Sequence, residues 1–357
     1  MATTLKDRRL RKGETIASRY QVVRRLGEGG AGSVYRCRDL KTEGDEVAVK
    51  VLENLEDMPR FRREARVMAK TRHPHVVQLL GRGVHEGEMP YLVLEYMDGG
   101  SVRDLLDRRG KVPVEEACWI LMQSISGLKA TKSVHRDLKP ENLLMSKGAK
   151  GRGVTLMPGD VENGAVLKVA DFGLAKSRAR DSLSLTHTGQ VMGTPVYMSP
   201  EQCKNTKRVS VKTDIYALGV ILYELTAGKP PFDANNIYDI MNMHCSEKPK
   251  LGRVPAELRP IVARCLQKKP GSRYPTLAAL ERELERVSGL RNEEKPGSGL
   301  KLFIGVVILC AIAAAGIMFR DQVVGWYHQV MDRVDQAVGD DADTSDAEAP
   351  QDAPATP

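Results

Sequence analysis

The chain is 357 residues long, 41% hydrophobic and 28% charged, with a formal net charge of +8. That balance fits a globular body with length to spare and excludes a chain too polar to build a core. Six scattered cysteines (Cys37, Cys118, Cys203, Cys245, Cys265, Cys310), with no Cys-x-x-Cys and no His cluster, exclude a disulfide framework and predict a reduced compartment without a structural metal.

Residues 1–19 read as a solvated basic lead-in, and Met1 to Lys12 lack the apolar stretch of a secretory signal peptide. From Tyr20 to Val51, β-branched clusters separated by Gly-rich turns predict strands. Met58 to Lys70 predicts a helix, with Phe61, Ala65 and Met68 at spacings of four and three. Strands are expected again at Val76–Leu80 and Tyr91–Glu95. After Asp98-Gly99-Gly100 the pattern turns helical: Val102–Asp107, Val114–Ala130, Asp214–Ala227, Ile237–Met243, Pro255–Cys265 and Leu277–Val287. Residues 289–301 form a polar, Gly- and Pro-bearing linker. No internal repeat is visible.

Leu302 to Phe319 is eighteen residues without a charge, bracketed by Lys301 and Arg320, and meets the length criterion for a membrane-spanning helix. Arg282, Arg286, Arg291, Lys295 and Lys301 place the positive side upstream, so the preceding body is expected in the cytoplasm and residues 320–357 outside. That short tail is acidic: two basic residues stand against nine acidic ones, a balance of −7 that leaves +15 on the first 319 residues. A basic excess of this size points to an anionic lipid surface or to nucleotide phosphates. No groove-reading motif accompanies it, so no nucleic-acid partner is expected. Between Asp321 and Val338, Val323, Tyr327, Val330, Val334 and Val338 lie near helical spacing, with Trp326 beside the membrane edge, and predict a short interfacial or pairing helix. Ala311 and Ala315 on the span are small residues of the kind that let helices associate, so a homodimer is left open.

Three motifs carry chemistry. Gly27-Glu28-Gly29-Gly30-Ala31-Gly32-Ser33-Val34 fits G-x-G-x-x-G-x-V between two strand candidates, where glycines let backbone N–H groups approach phosphates. A dinucleotide fingerprint shares that spacing. Val47-Ala48-Val49-Lys50 on the next-but-one strand is what separates the two, because a Rossmann unit has no such lysine strand. His135-Arg136-Asp137-Leu138-Lys139-Pro140-Glu141-Asn142 then sets a carboxylate, a lysine and an amide on one loop, and Asp171-Phe172-Gly173 brings a second carboxylate. Phosphoryl transfer needs that grouping, with one group to orient a hydroxyl, one to neutralise the phosphoryl and oxygen donors for Mg²⁺.

On these motifs, in this order, residues 20–288 resemble the eukaryotic-type (Hanks-type) Ser/Thr protein kinases, in the branch found in bacterial membrane receptors. The resemblance implies an α+β, two-lobed protein kinase fold, with a β-rich N-lobe over 20–98 and a helical C-lobe over 99–288, followed by linker, transmembrane helix and tail. It implies ATP and Mg²⁺ as cofactors and Ser/Thr-bearing proteins as substrates. Gly27 to Gly32 would cover the phosphates, with Glu28, Gly29, Gly30 and Ala31 in the loop. Val34 and Ala48 would cover the adenine, Lys50 would contact the α and β phosphates, and Glu64 would hold Lys50 in place. Leu94, Glu95 and Met97 match the hinge, with Leu94 at the back of the pocket. Asp137 is the expected catalytic residue, Lys139 the γ-phosphate partner, and Asn142 and Asp171 the metal ligands.

His135 is expected to brace the loop rather than act as a base. Glu201 is expected to pair with Arg273 in the interior, and Asp214 to cap the catalytic-loop backbone. Gly193-Thr194-Pro195-Val196-Tyr197-Met198-Ser199-Pro200-Glu201 matches the peptide-receiving segment, with Ser199 in place of the usual Ala. Thr194 resembles the residue that bonds Asp137 and Lys139. Arg136 marks family members ordered by activation-loop phosphorylation, and Thr186 and Thr188 match the paired threonines of bacterial relatives. Ser182 and Ser184 read as solvated.

The chain departs from the family between Asn142 and Asp171, which are 29 positions apart where little more than a dozen is usual. The excess, between Ser146 and Gly164, reads as an enlarged loop of low entropic cost. Two rival functions remain in view, a pseudokinase scaffold and a small-molecule phosphotransferase. The first has no missing motif to rest on, and the second ordinarily lacks the segment at Gly193 to Glu201.

Overall fold

The computed structural model describes residues 9–29, 32–147, 165–172, 195–204, 209–289 and 324–333. The chain divides into two units, Met1–Arg291 and Asn292–Pro357. In the first, strands β1 (Thr15–Ile16), β2 (Tyr20–Gly29), β3 (Gly32–Asp39), β4 (Glu46–Leu52), β5 (Leu79–His85) and β6 (Met89–Glu95) form one sheet in the order β1-β2-β3-β4-β6-β5. Every pairing in it is antiparallel.

The period-2 pattern of a strand sorts β4 and β6 into two faces. Val47, Val49 and Val51, with Tyr91 and Val93, join a core with Ile16, Tyr20, Val22 and Tyr35 on the outer face. Ala48 and Leu52, with Leu92 and Leu94, face helix α1 (Met58–Lys70) through Phe61, Ala65 and Met68. Lys50, between Val49 and Val51, is therefore delivered to the α1 side.

The outer face explains the first correction. Residues 9–19 are not a solvated lead-in. β1 pairs with β2, Ile16 is 0% exposed, and the Ala17 N–H donates to His85 Nδ1 at 3.1 Å. An apolar sheet face must be covered, and a two-residue strand is too short to show a period in sequence.

The expected strand at Val76–Leu80 also shifts. The strand runs Leu79–His85, while the Val77 N–H donates to Val169 O (3.0 Å) and the Val169 N–H to His75 O (3.0 Å). The β-branched pair Val76-Val77 thus joins the other lobe. Gly81 and Gly83 conceal the true strand because glycine is depleted in strands.

After a short sheet of β7 (Gly100–Ser101), β8 (Leu143–Met145) and β9 (Leu167–Val169), the second lobe is helical. Its helices are α2 (Val102–Arg109), α3 (Val114–Thr131), α4 (Pro200–Cys203), α5 (Val211–Ala227), α6 (Ile237–Ser246), α7 (Arg259–Cys265) and α8 (Leu277–Ser288). Ser101 and Asp104 form a capping box at the start of α2. Helix α5 is buried on every side from Thr213 to Thr226, as an all-round apolar helix must be. The helix expected over Pro255–Cys265 is broken into a 3-10 turn, Ala256–Leu258, and α7. Pro260 cannot sit inside a continuous helix, but it is tolerated in the first turn of a new one.

Glu201 of α4 and Arg273 form the expected buried pair, with Nη1–Oε1 2.8 Å and Nη2–Oε2 2.9 Å. Burial opposes the Glu201 charge, but the Arg273 guanidinium offsets it and holds the carboxyl below its ordinary range.

In the second unit residues 324–333 are helical, within the expected 321–338. Among the described residues no helix is long and apolar enough to cross a membrane. The expected span, 302–319, lies outside them.

Two stability experiments follow from this packing. Gly32 has φ +144°, and a Cβ there would fall 1.9 Å from Val51 O, so Gly32→Ala should cost about 1–3 kcal/mol and lower the thermal midpoint. Glu201→Gln should cost about 3–5 kcal/mol at neutral pH. Because the folded carboxyl titrates below its unfolded value, the pair's contribution is complete above the unfolded pKa of about 4.3 and is lost as pH falls through the depressed folded value. Urea melts of wild type and variant should therefore converge in acid.

Candidate active site

Three elements meet at Lys50. Its ammonium bonds Glu64 of α1 (2.8 and 2.9 Å) and Asp171 beyond β9 (2.5 Å), residues 14 and 121 positions away. Lys50 is 8% exposed and Glu64 3%, so that pair is interior, while the Asp171 side chain is 46% exposed and opens to the cleft. Burial works against the Lys50 charge, yet the two carboxylates more than offset it and raise its pKa. Burial raises the Glu64 pKa against the pull of Lys50. Lys50 in turn holds Asp171 low.

The apolar half of the cleft lies on the same sheet face. Ala48, Leu94 and Met97 are buried in one core, and Val34 packs against it. Ala48 and Leu94 are register partners across β4 and β6. Gly27, Glu28 and Gly29 close β2 and pair with Val34, Ser33 and Gly32 of β3, which forms the hairpin above the cleft. Gly30 and Ala31 lie outside the described residues. The Glu95 side chain is turned away from a nucleotide role. It accepts from Lys168 Nζ at 2.8 Å on both oxygens and from the Gln78 N–H at 2.7 Å. Its backbone N–H donates to Gln78 O at 3.0 Å, and the expected hinge contact is one of backbone groups, not of this carboxylate.

The loop carrying Asp137 is held from beneath. Asp214 of α5 accepts from the N–H groups of His135 and Arg136, both at 2.9 Å, which is the expected cap. His135 is buried, its Nε2 lies 3.0 Å from Ala170 O, and its ring packs on Phe172, with centroids 5.0 Å apart. It braces and does not face the cleft. The Gln202 side chain of α4 donates to Arg136 O at 2.7 Å. Arg136 (φ +69°) and Asp171 (φ +54°) both adopt the left-handed conformation, which is costly outside glycine and persists only where neighbours over-determine it. The loop's bonds to Asp214 and Gln202, and Asp171's bond to Lys50, are those neighbours.

Above this support the Asp137 carboxylate is 49% exposed, with Lys139 Nζ 3.7 Å away. Asn142 Nδ2 donates to Asp137 O at 2.7 Å, which fixes the orientation of its amide. Beyond Met145 the chain is closed by a neck. The Ser146 N–H donates to Val166 O (2.9 Å), and the Val166 N–H donates to Ser146 Oγ (3.0 Å). The expected insertion beyond Lys147, and Thr186, Thr188 and Thr194, lie outside the described residues.

Sequence reasoning missed one network beside the site. Arg103 of α2 reaches Glu141 in the catalytic loop, Tyr197 and Glu224 of α5. An arginine on a helix reads as solvated, so no signal in the chain distinguishes it.

Comparison with known proteins matches this geometry. A model of the protein kinase domain fits residues 20–284. The serine/threonine-protein kinase PknB of Mycolicibacterium smegmatis is 36% identical over 288 residues, which cover 76% of this chain and 43% of that protein. A probable serine/threonine-protein kinase of Clostridium perfringens is 35% identical over 290 residues (77% and 39%), and PrkC of Bacillus subtilis 33% over 286 (76% and 41%). The chain thus spans less than half the length of these relatives. The crystal structure of the Mycobacterium tuberculosis PknI kinase domain superposes with TM-score 0.56 at 26% identity, covering 78% of this chain and all of that one. With a two-lobed body, a Lys50–Glu64–Asp171 cluster and most of its length under one family model, the chain belongs to the protein kinase family, in its bacterial Hanks-type serine/threonine branch.

Proposed function

We propose that the chain is a membrane-anchored serine/threonine protein kinase that transfers the γ-phosphoryl of ATP to protein hydroxyls. The single observation that carries this reading is the Lys50 ammonium bonded at once to Glu64 and Asp171. A cation held by two lobes at the end of an apolar cleft suits a polyphosphate with an aromatic base. The cleft residues Val34, Ala48, Leu94 and Met97 would take the base, and Gly27 to Gly32 the phosphates.

The donor set also fits Mg²⁺. Among the described residues no three His, Cys, Asp or Glu side chains gather into a metal cage. Mg²⁺ in nucleotide sites needs few protein ligands, because phosphate oxygens and waters supply the rest. Asn142 and Asp171 would hold it, and when bound it neutralises charge on the phosphates.

The chain's own groups then divide the work. Lys50 orients the phosphates. Asp137 Oδ accepts the proton of the substrate hydroxyl as its oxygen bonds phosphorus, and the bond to the leaving ADP oxygen breaks. Lys139 stabilises the migrating phosphoryl. The peptide lies along residues 193–201.

Regulation and anchoring belong to the same reading. Buried Arg136 Nε has no hydrogen-bond partner among the described residues. A phosphate on Thr186 or Thr188 would supply three acceptors and about −1.5 to −2 charges for it. The eighteen apolar residues 302–319 support a single-pass anchor with the kinase body in the cytoplasm.

Incubation with labelled ATP, Mg²⁺ and a basic protein tests the reading. Asp137→Asn should lower label transfer about a hundredfold or more while leaving ATP binding intact. Equal transfer by both proteins would leave the pseudokinase scaffold as the better account. Peptide mapping of the wild-type reaction should place autophosphorylation on Thr186 and Thr188.

A further inference from the structure

Arg103 of α2 gathers three partners around the loop that carries Asp137. The Arg103 guanidinium donates to Glu141 Oε1 (3.2 Å) and to Glu224 Oε1 and Oε2 (3.0 and 3.3 Å), and it also bonds the Tyr197 hydroxyl. Tyr197 itself donates to Glu224 Oε2 at 2.5 Å. Each partner has a place in the site. Glu141 stands four residues after Asp137 on the same loop, and Tyr197 lies in the peptide-receiving segment. Glu224 comes from α5, the helix whose Asp214 ties the loop down.

The recess is acidic apart from Arg103. Glu224 is 6% exposed and Glu141 45%, so one carboxylate is interior and the other opens to solvent. Asp107, one turn along α2, adds a third at 3.8 Å. Arg103 is itself 27% exposed, so its side chain is only partly covered while it bonds the buried Glu224. A carboxylate as buried as Glu224 demands a partner, because an unpaired interior charge is strongly unfavourable. A forked guanidinium meets two oxygens at once, and a peptide arginine offers the same fork as Arg103.

We propose that Arg103 is a specificity-determining residue. It fills from within the chain an acidic recess that would otherwise receive a basic side chain of the substrate peptide. Accepted proteins are then those that carry no arginine requirement where the peptide passes Glu141 and Tyr197. Specificity of this kind is a difference between two affinities, set here by occupying the attractive site. The inference rests on the reading of the chain as a protein kinase.

The test uses the full chain with MgATP and matched Ser/Thr peptides in which one flanking position at a time carries Arg or Ala. Wild type should show a kcat/KM ratio (Arg over Ala) near one at every position. Arg103→Gln, which keeps much of the stem, should raise that ratio about tenfold or more at one position. Adding Glu141→Gln to that variant should reduce the gain, and methylguanidinium should suppress it by competing for the recess. A purely structural role predicts that Arg103→Gln lowers kcat/KM for both peptides by the same factor, and that result overturns the proposal. So does a strong arginine preference in wild type, which is decisive whether or not the variant folds. Failure of wild type to phosphorylate any peptide would overturn the kinase reading instead, and this inference with it.

Discussion

The site depends on where one ammonium sits. Lys50 comes from the sheet, Glu64 from the helix packed on it, and Asp171 from beyond the strand β9 of the second lobe. Two carboxylates this close repel, and the Glu64 carboxylate, 3% exposed, also loses hydration, whereas Asp171 keeps 46% of its side chain exposed. The cation between them makes the arrangement stable, and removing it would leave uncompensated interior charge. The ammonium thereby couples the packing of α1 to the position of Asp171. A shift of α1 that withdrew Glu64 would change the charge environment of Asp171 without touching the second lobe.

The second lobe supplies the opposite property, a backbone held in unfavourable conformations by its surroundings. Arg136 and Asp171 each sit at positive φ, at a cost of about 1–3 kcal/mol apiece. Asp214 is buried, and burial raises its pKa, yet it accepts two backbone N–H bonds at the loop. It does so from a helix with no exposed face over most of its length, so it has little freedom to move. Glu201 with Arg273, and Gln202 with Arg136 O, secure the loop from the other side. The Asp137 carboxylate is thus half exposed at the top of a loop whose supports are buried.

Much of this was legible in the chain, for identifiable reasons. Helix α1 runs over the expected residues because its apolar spacing of three and four coincides with burial of Phe61, Ala65 and Met68. Val47 to Leu52 alternates, so the face carrying Lys50 followed from the pleat. What was not legible depends on partners distant in sequence. β1 is a strand only because β2 needs an edge partner and the outer face a cover. Val76-Val77 has strand chemistry but spends it on β9. The pairing of the Glu95 carboxylate with Lys168, 73 positions away, has no mark in the chain either. Arg103 has no periodicity or motif to mark it, and only the fold brings its partners together.

The neck at Ser146 and Val166 has a consequence for how this chain can vary. Two bonds running in opposite directions seal it, and a third, from the Lys147 N–H to Asp98, fastens it to the end of the hinge. Asp171 lies only five residues past that seal. The three bonds fix the backbone on both sides of the neck, at residues 147 and 166, a short distance ahead of Asp171. A change in length between residues 147 and 165 leaves these anchoring bonds in place, and loop-closure entropy grows only slowly with length.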